Sequence, residues 1–138
     1  MSTIQKIQEH YGVHLLTSEP PSNSEVVSCF GLVHGQAIMG ANFIKDFFAK
    51  VADVTGGRVS GYEKALAAAT REAVEIMTRS AAELGANTVV AVKLQTSSVG
   101  PRMLLAACSG TAVILREKRV DEPDNSSPRQ YVHSQPLG

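Results

Sequence analysis

The chain has 138 residues, of which 43% are apolar and none is Trp, and its 13 Lys and Arg are balanced by 13 Asp and Glu. That length suits one domain with one core, built mainly from Val, Leu, Ile and Ala, and zero formal charge gives no global attraction to phosphate backbones, so no nucleic-acid partner is expected. No apolar run approaches the roughly 18 residues of a membrane span and the first residues carry no signal-peptide core, so no membrane partner is expected and a cytoplasmic address is.

Residues 1–12 read as an N-terminal extension, in which Ile4 and Ile7 have helical spacing and predict a short helix over Met1–His10. A short strand is predicted at Val13–Thr17, then a loop at Ser18–Ser24 around Pro20 and Pro21. A clearer strand follows at Val26–His34, punctuated by Gly31 and Gly35. Phe43, Ile44, Phe47, Phe48, Val51 and Val54 fall on one face of a predicted helix that Asn42 can cap and Gly56 and Gly57 can end.

Ser60 and Glu63 have the spacing of a capping box and open a long helix running to Leu84, stopped by Gly85. Its predicted buried stripe is Leu66, Ala69, Ala73, Ile76, Met77 and Leu84. Arg71, Glu75, Arg79 and Glu83 form a solvated i, i+4 ladder.

Two strands close the domain. Thr88–Thr96 should place Val90, Val92 and Leu94 on one face and Val89, Ala91, Lys93 and Gln95 on the other, and a turn at Ser97–Pro101 leads to Met103–Leu115. That last strand is apolar or small on both faces, so both should be covered. Two helices can cover one face; no further predicted element is long enough for the other, and a second copy of the chain is the economical cover. A homo-oligomer is therefore expected. Residues 117–138 mix charges with Pro123, Pro128 and Pro136 and read as a disordered tail. The expected fold class is α/β of the α+β kind: a small β-sheet with two consecutive helices packed on one face, spanning residues 13–116.

One ordered set of motifs carries a family resemblance. It comprises Phe30-Gly-Leu-Val-His-Gly-Gln-Ala-Ile-Met-Gly-Ala41 with Asn42, Asp46-Phe47-Phe48, Asp53 through Arg58, Ser60 with Tyr62-Glu63-Lys64, Leu84-Gly-Ala-Asn87, and Ser109-Gly-Thr-Ala-Val113. The chain resembles the YbjQ-like family, small proteins of unassigned activity that carry a heavy-metal-binding label, over about three-quarters of its length. The resemblance implies a dodecin-like β/α subunit of a homo-oligomeric ring, typically a pentamer, in which added strands join neighbours. The chain departs from the pattern where carboxylates are common: Gln36 stands in place of Glu, and Lys93, Gln95 and Thr96 replace an acidic cluster. A hard-cation site built on carboxylates is correspondingly disfavoured.

Candidate chemistry is sparse. Cys29 and Cys108, on strands that could be neighbours, with His34 nearby, would suit a soft or borderline metal ion such as Zn or Cu(I). The competing reading makes both cysteines reduced core fillers, with a disulfide between them left open. Strict alternation also puts Cys29 and His34 on opposite faces unless Gly31 bulges the strand. His10 and His14 are four apart, but Gly12 argues against a helix joining them. Gly56, Gly57, Arg58 and Tyr62 lead into a helix N-terminus and could hold an anion, or simply make a tight turn. There is no nucleophile elbow, H-E-x-x-H or Rossmann pattern, so no enzyme is expected. Asp46, Asp53, Tyr62 and Glu63 have simpler roles at helix ends. The expected function is a homo-oligomeric binding module for a metal ion or small ligand; the alternative is a ring-shaped scaffold that displays its C-terminal tail to a partner protein.

Overall fold

The computed structural model describes residues 2–40, 58–98 and 103–118, without side chains for residues 58–62. The helix expected over 42–55, the turn residues 99–101 and the tail beyond Lys118 lie outside the described residues.

Helix α1 spans Thr3–Tyr11. The Ser2 hydroxyl accepts from the Gln5 amide at 3.2 Å while the Gln5 side chain accepts from the Ser2 amide at 2.9 Å, so a capping box satisfies two of the amides that a helix start leaves unpaired. Gly12, at φ +67°, ends the helix in the left-handed conformation. This helix is docked onto the core: Ile7 is buried, and the Tyr11 hydroxyl donates to Glu75 at 3.1 Å.

Strands β1 (His14–Leu15), β2 (Ser24–Met39), β3 (Thr88–Ser98) and β4 (Leu104–Glu117) form one mixed sheet in the order β1-β3-β4-β2. β1 runs parallel to β3, and the other pairings are antiparallel. β2 continues five residues past the predicted end at His34, because alternation of buried and exposed residues persists through Met39. Beyond β1 the chain still follows β3, with Leu16 and Ser18 accepting from the Val92 and Ala91 amides at 2.9 Å each. Asn87 pins the start of β3 to β4. Its side chain exchanges two hydrogen bonds of 2.8 Å with the backbone of Leu115.

Helix α2 (Arg58–Leu84) begins two residues before the predicted start, leaving Ser60 inside its first turn. It packs on the face made by Val33, Ala37 and Met39 of β2 with Leu104, Ala106, Cys108 and Ala112 of β4. Its contact stripe is Ala65, Ala69, Ala73, Met77 and Ala81, all fully buried, with Val74 and Thr78 beside it. The small residues let the helix backbone approach the sheet. A Cβ on Gly35 would strike the Ala73 carbonyl oxygen and lie 2.7 Å from the Met77 amide nitrogen, so only glycine fits there. The larger residues of the predicted stripe are displaced: Leu66 and Ile76 are only half-buried, and Leu84 is exposed.

A bulge in β3 overturns the predicted alternation of that strand. Its register slips between Val90 and Lys93, around Ala91 at φ +54°, so Val89 (opposite Ala112) and Leu94 (opposite Cys108) share the helix-covered face. Val90, opposite Thr111, and Lys93, opposite Ser109, lie on the other face. This is an α+β fold: a small mixed four-stranded sheet with helices on one side. No described helix packs on the opposite face of β2 and β4, which keeps Leu32 (73% exposed) and Ile38 (58% exposed) in the open.

Candidate functional site

The open face is organised in rungs, because residues directly opposed across antiparallel strands point to the same side. His34 of β2 and Lys93 of β3 both oppose Ser109 of β4; one rung along, Gln36 and Gln95 both oppose Ala107. These side chains line a shallow depression of about 240 Å³ over the centre of the sheet. Among the described residues no hydrogen bond or ion pair occupies the side chains of His34, Gln36, Lys93, Gln95 or Ser109, and no carboxylate lines the depression. A larger groove of about 750 Å³ runs between α1 and the early turns of α2, lined by Ile4, Leu66, Ala67 and Ala68 with Glu63, Lys64 and Arg71.

The proposed metal residues do not converge within one chain. Cys108 lies beneath α2, where its thiol donates to the Ala73 carbonyl oxygen at 3.2 Å and burial pushes its pKa above the ordinary thiol range. Cys29 is exposed instead of filling the core, and both cysteines are free, which removes the disulfide alternative within the chain. The register slip at Gly31, which has φ +95°, brings Cys29 opposite Val113 and His34 opposite Ser109, so the two share the open face after all. They remain four residues apart along β4, about 13 Å at the usual strand rise, too far to share one ion. Among the described residues no three of His, Cys, Asp and Glu cluster as a metal site.

Of the expected anion-binding set, Gly56 and Gly57 lie outside the described residues, and Arg58 and Tyr62 are described only as helical backbone in the first turns of α2. His10 lies in the last turn of α1 with its ring edge-on to Tyr11 at 4.7 Å, and His14 lies in β1 beyond the left-handed Gly12. The sequence marks the open-face row only in part: Gln36, Lys93 and Gln95 are departures from a family pattern and His34 is a candidate metal donor, while Ser109 figures only within a family motif. Its signal was polar residues at every second position of otherwise apolar strands, as in His34-Gly-Gln36 and Lys93-Leu-Gln95. The β3 bulge hid the fact that both pairs face the same way.

A single mixed sheet with a long helix on one face, β2 at its rim and a polar row on its open face defines a small α+β domain. The family described as "Putative heavy-metal-binding" matches residues 13–116. The chain is 42% identical over 102 residues to a UPF0145 protein of Halalkalibacterium halodurans, an alignment covering 74% of this chain and 95% of that one. A UPF0145 protein of Pasteurella multocida is 39% identical over 106 residues, covering 74% and 99% of the two chains. Among solved structures, a protein of unknown function of the DUF74 family from Pediococcus pentosaceus aligns with a TM-score of 0.40 at 14% identity, covering 76% of this chain and 99% of that one. The chain belongs to the YbjQ-like UPF0145 family.

Proposed function

We propose that this protein is a homo-oligomeric binding module, a ring of five subunits that holds a small ligand on the open faces of its sheets. The observation that carries the reading is β2: a sixteen-residue strand at the sheet edge, paired on one side only among the described residues, with Val26, Val27, Phe30, Leu32 and Ile38 exposed along it. A long apolar edge strand is a template for another chain, and a soluble monomer would ordinarily blunt it. The opposite rim of the sheet is also unfinished. From Lys93 to Ser97, β3 has no strand on its outer side among the described residues. Pairing between two unlike edges is head-to-tail, the geometry that closes into a ring.

The protein acts in the cytoplasm as a binder rather than an enzyme. No membrane-spanning helix occurs among the described residues. Among the described residues no metal cluster forms within one subunit, so a metal held by them would take donors from separate subunits, and Cys29 and His34 on the open face are exposed side chains suited to that. Native mass spectrometry without chelator tests the reading. A mass of five subunits is expected, and Leu32→Lys or Ile38→Lys should shift it toward monomer while leaving the circular dichroism spectrum intact. A monomeric wild-type protein would overturn the assembly. Stoichiometric Zn or Cu lost in Cys29→Ser or His34→Gln would identify a metal as the ligand.

A further inference from the structure

We infer that the ligand of the open face is a small tetrahedral oxyanion, inorganic phosphate or a compact phosphomonoester, held between Lys93 and His34 over Ser109. The inference rests on the reading of the open face as a binding surface and adds the class of ligand. Every polar side chain lining the depression can donate a hydrogen bond, Lys93 carries a positive charge, and no carboxylate is present to balance it. In a chain whose acidic and basic residues are equal in number, this segregation is local. A cation would meet that ammonium with no carboxylate to offset it, leaving only the amide, imidazole and hydroxyl acceptors. An oxyanion would meet the ammonium, an imidazole, the two Gln amides and a hydroxyl, and hydrogen bonds from charged donors to an anion are the strong ones.

Size supports the same class. His34 and Lys93 flank one β4 residue, so their backbones stand two strand spacings apart, roughly 10 Å, and the Gln36–Gln95 rung lies about 7 Å further along. Side chains leaning inward from four corners of such a rectangle converge on one small group. The depression, about 240 Å³, is below the roughly 300 Å³ at which pockets for larger organic ligands begin. The unengaged state of all five side chains means that no internal bond must be broken to admit the anion.

The test is isothermal titration of the full-length wild-type protein with inorganic phosphate, with glycerol phosphate as the monoester arm and ZnCl2 as the cation arm. Native mass spectra of the same samples report the assembly. Saturable phosphate or monoester binding is expected, weakened roughly tenfold or more by Lys93→Gln and by His34→Phe, with subunit count and thermal melting unchanged. Tighter binding of glycerol phosphate than phosphate would identify the monoester. Phosphate binding unaffected by both substitutions would overturn the site. Zn binding without phosphate binding would overturn the oxyanion assignment and leave the binding module standing. An intact oligomer that binds none of the three would overturn the assignment together with the ligand-binding reading.

Discussion

The two faces of this sheet are made from the same strands and obey different rules. On the helix side the residues are small and closely matched: Gly35 and Cys108 lie against the backbone of α2 at Ala73, and the contact stripe of that helix is largely alanine. On the open side the same strands carry Leu32, Ile38 and a row of polar groups with no described helix above them. Side-chain volume is therefore constrained on one face by covalent backbone a few ångströms away, and on the other only by what the protein binds or assembles with. Adjacent residues of one strand should then differ sharply in their tolerance of substitution.

Gly35 and Gln36 give the largest expected contrast. A side chain at Gly35 collides with main-chain atoms of Ala73 and Met77, which cannot swing aside as a side chain can, so Gly35→Val should cost about 3 kcal/mol or more, or prevent folding. Gln36→Val, one residue on, adds a β-branched side chain to an exposed strand position and should change stability by no more than about 0.5 kcal/mol. Urea denaturation of both variants checks this. Equal effects would mean that the faces are not distinguished by packing.

A smaller effect is expected where the two faces are held in register. Asn87 both donates to and accepts from the Leu115 backbone, locking the β3 start to β4 with a local pair of bonds that a slipped register could not form. Asn87→Ala removes both bonds and leaves a partly buried amide and carbonyl without their partner, for a loss of about 1 to 3 kcal/mol in denaturant unfolding. Recovery of most of that stability in Asn87→Ser, which retains only a shorter hydroxyl, would show that the bidentate geometry is not what matters.

Much of this architecture was legible in the residues. The long helix, the small sheet and the two-faced final strand followed from periodicity, and Gly85 ended its helix as predicted, at φ +93°. What escaped were the places where alternation breaks. The bulge at Ala91 puts a non-glycine residue in the left-handed region, which no turn signal announces, and it reversed the assignment of Leu94. Gly31 did announce a possible bulge, but only the register showed that Cys29 and His34 share a face. The capping box at Ser2 and Gln5 opens a nine-residue helix with little apolar run behind it, so its sequence signal is weak. Spacing alone predicts Leu84 in the core. The buried stripe of α2 runs through Ala81, and Leu84, the helix's last residue, lies beyond it and is exposed.

The cysteines give the finest probe of the same asymmetry. Cys29 is exposed on the open side and should react with a thiol reagent in the native state, whereas Cys108 should react at the rate of unfolding. Burial raises the Cys108 pKa, opposed only in part by a hydrogen bond from the Gly35 backbone. The folded protein therefore keeps this proton at a pH where the unfolded chain has released it. The corresponding stability is fully present below the unfolded thiol's pKa and is lost as pH rises from there through the folded pKa, by at most ~1.4 kcal/mol per pH unit for one proton. Cys108→Ala abolishes this dependence, so the stability advantage of wild type over the variant should shrink as the solution is made alkaline. If urea midpoints measured over that rise in pH leave the Cys108→Ala difference unchanged, the thiol beneath α2 is in contact with water, and the helix-covered face is less tightly closed than its alanine stripe implies.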